Sequence, residues 1–252
     1  MISTRKIGTA PLYLNPIIAG EKGAGKTLLA CTAGQHPEMG PALLVNIEDG
    51  GVTASHLDGC DETEQLATFK DAQEVFWNLA NKTKDEDTDW GSYRTVIVDS
   101  GTALQSMNIM EVARDNGKGS NEFRITQQDW GDSTRMVEEL LRRFKALPLN
   151  TIVTAGVRNY YTTDNAIQKE KVGPARVTPD FTPALANKLM YLYDHVWYLA
   201  VADDGTRQLL TRDSGPYKAK TRGQRFADQL GEVVDNPNLG EIFNLYKETQ
   251  AR

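Results

Sequence analysis

Residues 20–27 read Gly20-Glu21-Lys22-Gly23-Ala24-Gly25-Lys26-Thr27 and carry the strongest structural signal in the chain. This stretch matches the pattern G-x-x-x-x-G-K-[ST] at every fixed position. It also follows a short apolar segment, Leu12–Ala19, and precedes the helix-forming run Thr27–Ala30. Small residues allow the backbone to wrap closely around a phosphate, so that several N–H groups and the helix N-terminus face its negative charge. The stretch therefore predicts a phosphate-binding loop at the end of a buried strand.

The side chains of this motif predict the parts of a nucleoside triphosphate site. Lys26 is expected to reach the β- and γ-phosphates, and the Thr27 hydroxyl is expected to ligate Mg²⁺. Lys26 is therefore a candidate catalytic residue as well as a binding residue. The predicted ligands are ATP and Mg²⁺, and the predicted nucleotide-binding residues of the loop are Gly20, Glu21, Lys22, Gly23, Ala24, Gly25, Lys26, Thr27 and Leu28.

A second segment, Arg94–Ser100, is predicted to be a buried strand that ends in an acid. Because the carboxyl ends of parallel strands meet at one edge of a sheet, a carboxylate there faces the same crevice as the phosphate loop. We expect Asp99 to hold Mg²⁺ together with Thr27, either directly or through water.

The catalytic base is expected on another strand end, since Ser100 and not a glutamate follows Asp99. The strand Ala42–Ile47 ends in Glu48-Asp49 at the predicted rim of the crevice. Glu48 is the candidate that orients and polarises the attacking water, and Asp49 is the alternative if the register differs by one residue.

Charge and composition limit the classes of function. The chain has 252 residues and a net charge of −6, with a sequence pI of about 5.2. A protein that coats nucleic acid with its whole surface is expected to be basic, so nucleic-acid binding is expected only through a loop or a channel. No apolar run approaches the roughly 18 residues of a membrane span, so no membrane partner is predicted. Two cysteines form no disulfide framework, and a cytoplasmic location is the expectation.

The coarse pattern alternates strands with helices, which is typical of an α/β fold with a mostly parallel central sheet and helices on both faces. The predicted strands are Leu12–Ala19, Ala42–Ile47, Thr95–Val98 and Thr151–Ala155, followed by an antiparallel C-terminal hairpin of His195–Val201 and Arg207–Thr211, a strand at Tyr217–Lys220 and a helix at Leu239–Lys247. No linker separates two domains, so residues 1–252 are predicted to form one domain.

Several of these motifs resemble those of the RecA-type ATPases. Asn46-Ile47-Glu48 stands where that group has Asp-x-Glu, and Thr95–Ser100 stands where it has an apolar strand followed by Asp-Ser. The chain is most similar to small phage-encoded ATPases that consist of the RecA core alone, the Sak-type recombinase and annealing-associated proteins. Further points of likeness are Gln127–Gly131, the Thr-Ala strand ending at Thr154, and Lys218–Gly223. The resemblance covers roughly residues 12 to 230 and implies a RecA-like P-loop NTPase.

The resemblance also implies roles for residues outside the loop. The strand at Thr151–Gly156 lacks the Asn-Gln ending of RecA, so Thr154 is expected to stand in as the γ-phosphate sensor, with Arg158 as a second candidate. Lys218 and Lys220 are expected to share one face of a strand and to reach the nucleotide of a neighbouring subunit as catalytic cations. Hydrolysis would then need a homo-oligomer, either a ring or a filament.

Two loops are expected to bind single-stranded DNA, by the same resemblance. They are predicted at about Arg114–Gln127 and Val157–Thr182, and cations together with tyrosines suit phosphates and stacked bases. The candidate nucleic-acid residues are Arg114, Lys118, Arg124, Arg158, Tyr160, Tyr161, Lys169, Lys171 and Arg176.

The predicted function is an ATP-dependent single-stranded-DNA-binding ATPase of phage recombination or single-strand annealing. It would act in the host cytoplasm, with a single-strand-binding or annealing protein as a natural partner. The alternatives are a helicase- or packaging-type motor, a nucleotide-dependent switch with little turnover, and a small-molecule kinase, although the sequence has no arginine-rich lid.

Overall fold

The computed structural model describes residues 11–117, 125–162 and 173–250. The strands are β1 Pro16–Gly20, β2 Ala42–Asn46, β3 Cys60–Glu62, β4 Thr95–Asp99, β5 Asn150–Ala155, β6 Val157–Tyr160, β7 Arg176–Pro179, β8 His195–Val201, β9 Arg207–Leu210, β10 Lys220–Thr221 and β11 Val233–Asp235. The α-helices are α1 Lys26–Cys31, α2 Phe69–Asn81, α3 Gly101–Asp115, α4 Gln127–Ala146, α5 Pro183–Leu192, α6 Gln224–Leu230 and α7 Leu239–Gln250.

A nine-stranded sheet lies at the centre of the described chain, in the order β11-β9-β8-β1-β5-β4-β2-β3, with β10 paired to β8. The six strands from β8 to β3 are parallel to one another. Only β9, β10 and β11 run antiparallel to their neighbours, at one edge. The parallel register places the carboxyl ends of β1, β4 and β5 side by side, because Ile17 pairs with Val153 and Ile97 pairs with Ile152.

Helices cover both faces of the sheet, because side chains of the buried strands alternate between two apolar clusters. Ile17 packs with α2, α4 and α5 on one face, and Ile18 packs with α1, α6 and α7 on the other. A strand buried on both faces needs apolar residues at nearly every position, which is the pattern of β1. The predicted α/β class, with a mostly parallel sheet, helices on both faces and an antiparallel C-terminal hairpin, is confirmed.

Local sequence signals explain where the longer helices begin. The Thr68 side chain accepts a hydrogen bond from the backbone N–H of Asp71, whose carboxylate accepts one from the Thr68 N–H in return. Thr126 and Asp129 form the same reciprocal capping box at the start of α4. Such boxes satisfy N–H groups that the first helical turn leaves without partners.

Two elements differ from the sequence prediction. The predicted strand Tyr217–Lys220 is shorter and later in the chain, since only Lys220–Thr221 pairs with β8. The segment Val157–Thr182 is not irregular throughout, because β6 and β7 pair as a two-stranded antiparallel ribbon. The prediction missed this ribbon because its strands contain charged and polar residues and form a separate two-stranded sheet outside the central one.

Within the described ranges, no helix combines the length and the apolarity that a membrane crossing needs.

Candidate functional site

The phosphate loop leaves the sheet at the end of β1 and enters α1. Gly23 and Gly25 have φ angles of 84° and 96°, a region that costs other residues strain energy and glycine very little. Gly20 lies so close to β8 that a Cβ there would stand 2.4 Å from the Leu199 carbonyl oxygen. The glycines of the motif are therefore required by the backbone path as well as by access to a phosphate.

The Lys26 side chain lies across the loop. Its Nζ donates to the carbonyl oxygens of Gly20, at 2.9 Å, and Glu21, at 3.0 Å. Burial lowers the pKa of the Lys26 ammonium, and the negative charges of Asp99, Glu48 and Glu21 oppose that shift. Lys26 is thus a partly desolvated cation placed at the loop that is expected to hold phosphates.

Asp99 lies at the end of β4 and is only 4% exposed. The Thr27 Oγ1 donates to Asp99 Oδ2 over 2.8 Å, and the Thr154 Oγ1 donates to Asp99 Oδ1. These two hydroxyls hold the carboxylate from α1 and from β5. The structure therefore brings the predicted metal ligands, Thr27 and Asp99, into direct contact.

Thr154 occupies a different position from that expected of a γ-phosphate sensor. Its side chain is fully buried, and its hydroxyl is directed at the Asp99 carboxylate rather than into the open cleft. In this structure Thr154 is a positioning residue for Asp99.

The oxygens beside Asp99 fit a bound Mg²⁺. Neighbouring ligands of a six-coordinate Mg²⁺ with bonds of about 2 Å lie about 2.9 Å apart, and the Thr27 and Asp99 oxygens are 2.8 Å apart. A Cβ at Gly50 would lie 2.7 Å from Asp99 Oδ2 and 3.3 Å from Thr27 Oγ1. Glycine at this position therefore leaves open the space that an ion would need.

Glu48 lies on the cleft that contains these groups. The cleft has a volume of about 550 Å³, and its wall includes Lys26, Glu48 and Asp99. Asp49 has a positive φ of 57° and is not part of this wall, and its N–H donates to the Asn46 side chain at 2.8 Å. Of the two acids after β2, Glu48 is the one positioned to act on a molecule in the cleft.

Sequence reasoning missed the far wall of the cleft. The Thr102 Oγ1 donates to the Asp180 carbonyl oxygen at 2.9 Å and accepts from the Gly156 N–H at 3.0 Å. Arg158, the second candidate sensor, donates from Nε to Asp180 Oδ1 at 2.8 Å. No sequence motif marks Thr102 or Asp180, because their proximity to the phosphate loop depends on how β5, α3 and β7 pack.

The two candidate trans-acting lysines do not act as a pair. Lys220 Nζ donates to the carbonyl oxygens of Met190 and Tyr193, both at 2.6 Å, where a cation stabilises the C-terminal end of α5. Burial lowers the pKa of Lys220. The expectation that Lys220 reaches a neighbouring nucleotide is therefore wrong, since its ammonium is used within its own chain.

Lys218 has a different environment. It precedes β10, so it shares no strand face with Lys220. Its side chain is 43% exposed, and Nζ lies 3.7 Å from Asp213 Oδ2. A pair this open contributes little to stability, and Lys218 remains a candidate for contact with another subunit.

The described candidate nucleic-acid residues fall into two groups. Arg114 is exposed in the last turn of α3, whereas Tyr160 and Arg176 are directly opposite each other on the β6–β7 ribbon. Arg158 lies on the same ribbon, and Tyr161 follows β6 and is 38% exposed. The remaining candidates, which lie outside the described residues, are Lys118, Arg124, Lys169 and Lys171.

Comparison with known proteins agrees with this geometry. A family model described as an AAA domain matches residues 14–223, which contain β1 to β10 and every described residue of the cleft. A search of curated protein sequences found no match. Since the family match covers most of the chain, the protein belongs to the AAA domain family and is a nucleotide-binding P-loop ATPase.

Proposed function

We propose that this protein is a Mg²⁺-dependent ATPase that binds single-stranded DNA and acts as a homo-oligomer in phage recombination or single-strand annealing. The observation that carries the proposal is the position of the β6–β7 ribbon. Arg158 at its base contacts Asp180 on the wall of the nucleotide cleft, and Tyr160 and Arg176 lie further along it. The role in phage recombination, and a single-strand-binding or annealing protein as partner, rest on the likeness to the Sak-type proteins.

The residues of the cleft have different roles in ATP hydrolysis. The loop amides and Lys26 bind the phosphates, and Thr27 with Asp99 holds the metal ion, which when bound neutralises charge that develops on the phosphates. Glu48 accepts a proton from a water molecule and directs its oxygen at the terminal phosphate. Thr154 keeps Asp99 in place through its hydroxyl.

The ribbon provides a physical route from nucleotide to DNA. Aromatic rings stack on bases of any sequence, and cations pair with the backbone phosphates. Tyr160 and Arg176 combine both on opposing strands. A change at the cleft that moves Asp180 also moves Arg158 and so changes how the ribbon presents these side chains.

Assembly into a ring or filament would complete the catalytic site. Lys218 is more than a third exposed and only loosely paired with Asp213, so it is available to the nucleotide of an adjacent subunit. A cation in that position stabilises transition-state charge as an arginine finger does. The rate per subunit is then expected to rise with protein concentration.

The test measures ATP hydrolysis with and without single-stranded DNA over a range of protein concentrations, together with DNA affinity in the presence and absence of MgATP. Tyr160→Ala is expected to weaken DNA binding by about tenfold, since a stacked base contributes roughly 1–3 kcal/mol, and to leave ATP affinity unchanged. Tyr191→Ala is the control, because Tyr191 is another tyrosine, is 90% exposed and belongs to α5 rather than to the ribbon strands.

Wild-type protein that hydrolyses ATP at a rate independent of DNA, with no DNA binding in either nucleotide state, would refute the DNA role and leave the ATPase. If Tyr160→Ala binds DNA with the same affinity as Tyr191→Ala, the ribbon is not part of the DNA interface.

A further inference from the structure

Arg207 is the first residue of β9, at the edge of the sheet that holds the phosphate loop. The strand order β9-β8-β1-β5-β4 places β9 and β4 on opposite sides of β1. Val201 at the end of β8 pairs with Arg207, and the Arg207 carbonyl oxygen accepts a hydrogen bond from the Asn236 N–H at 2.6 Å. The backbone of Arg207 is therefore held beside the loop, on the side away from Asp99.

The Arg207 side chain lies directly against the last glycine of the loop. A Cβ at Gly25 would stand 2.6 Å from Arg207 Nε, 3.3 Å from its Cδ and 3.5 Å from its Cζ. Gly25 is the residue immediately before α1, where main-chain N–H groups converge on a bound phosphate. A guanidinium in contact with this residue stands at the margin of the phosphate site.

The charge of Arg207 is not used elsewhere in the described part of the chain. The residue is exposed, and its guanidinium forms no salt bridge or hydrogen bond with any described residue. Guanidinium groups form their strongest contacts with carboxylates and phosphates, often through two parallel hydrogen bonds. A free guanidinium held against a phosphate-binding loop is therefore available to an anionic ligand.

We propose that Arg207 binds the α-phosphate of the nucleotide, an inference that rests on nucleotide binding by this loop. Thr27, Glu48 and Asp99 all lie towards β4 and β2, which is the end of the site for the metal ion and the terminal phosphate. Arg207 approaches from the opposite side of β1, so a nucleotide whose terminal phosphate lies towards Asp99 would have its α-phosphate on the Arg207 side. Its contribution is then equal for ATP and ADP, because both contain that phosphate.

The experiment measures the dissociation constants of ATP and ADP, each with Mg²⁺, by calorimetry. Arg207→Met keeps the length of the side chain and removes its charge, and Arg207→Lys keeps the charge without the planar fork. Arg225→Met is the matched control, since Arg225 is exposed on α6 and likewise forms no hydrogen bond or ion pair with a described residue. Thermal melting of each variant without nucleotide reports on folding, which an exposed side chain is expected to leave unchanged.

Arg207→Met is expected to lower the affinities for ATP and ADP by the same factor, about tenfold to a hundredfold, which is the usual effect of losing a hydrogen bond to a charged group. Arg207→Lys is expected to retain part of the affinity, and Arg225→Met all of it. Wild-type affinity in Arg207→Met, or a loss confined to ATP, would overturn the assignment. Failure of the wild-type protein to bind either nucleotide would overturn nucleotide binding itself, and is readily distinguished from the first result.

Discussion

Replacing Thr154 with valine tests whether the metal site depends on a buried hydroxyl. Valine has nearly the shape of threonine, so the change removes one hydrogen bond to Asp99 and adds no cavity. Thr154 is fully buried and Asp99 is 4% exposed, so water cannot replace the lost donor. Hydrogen bonds to charged groups contribute about 1.5–3 kcal/mol, and we expect a loss of about 2 kcal/mol in the free energy of unfolding.

The same change is expected to weaken metal binding. Removal of a group that orients a metal ligand commonly costs about tenfold to a hundredfold in affinity. Thr154→Val should therefore lower the affinity for MgATP by at least about tenfold. It should lower the affinity for ATP in EDTA much less, because only the metal-dependent part of the affinity depends on Asp99.

Thr151→Val is the matched control on the same strand. Thr151 is also fully buried, and its Oγ1 donates to the Phe144 carbonyl oxygen at 3.1 Å, away from the cleft. It is expected to lower stability by about 1 kcal/mol, as for a bond between neutral groups, and to leave MgATP affinity unchanged. Urea unfolding measures the stability of both variants, and calorimetry measures their affinity for MgATP. Equal effects of the two substitutions on MgATP affinity would show that Thr154 does not support the metal site.

Three further changes probe the rest of the molecule. Lys26→Ala should reduce ATP affinity at least a hundredfold in a filter-binding or calorimetric assay, because the partly buried ammonium that lies across the loop is lost; unchanged affinity would contradict the role of the loop. Glu48→Gln should keep ATP affinity and lower turnover by at least a hundredfold, since shape is retained and the base is not; normal turnover would move that role to another residue. Burial lowers the pKa of His195 to about 3. The unfolded state, with a histidine pKa near 6.5, therefore takes up the proton first as the pH falls. Protonation of His195 in the unfolded state should by itself lower the free energy of unfolding by about 2 kcal/mol between pH 7 and pH 5. If His195→Phe loses as much stability over this range as the wild-type protein does, His195 is not the cause of the loss.

Much of the nucleotide site could be predicted from the sequence because its signals are local. The glycine pattern specifies backbone angles that few other residues adopt, and the adjoining apolar run specifies a strand buried on both faces. Asp99 follows from the same logic, since parallel strands end at one edge of the sheet. Glu48 follows too, at the end of the strand next to β4.

Long-range packing decided the residues that were misjudged or missed. Lys220 looked like an exposed strand lysine, but the end of α5 lies over it and its ammonium binds two carbonyl oxygens there. The sequence around Thr154 does not show whether its hydroxyl contacts a phosphate or donates to Asp99. Arg207 is separated from Gly25 by more than 180 residues of chain, and nothing in either segment predicts their contact.

The sequence alone determined that this chain has a phosphate loop on a parallel sheet, because φ angles and the alternation of buried side chains depend on neighbouring residues. Which charged and hydroxyl groups surround that loop depends on the packing of segments that are far apart in the sequence. A cation or a hydroxyl has no function of its own until the packing of distant strands gives it a partner, as it does for Lys220 and Thr154, or leaves it without one, as it does for Arg207 among the residues described.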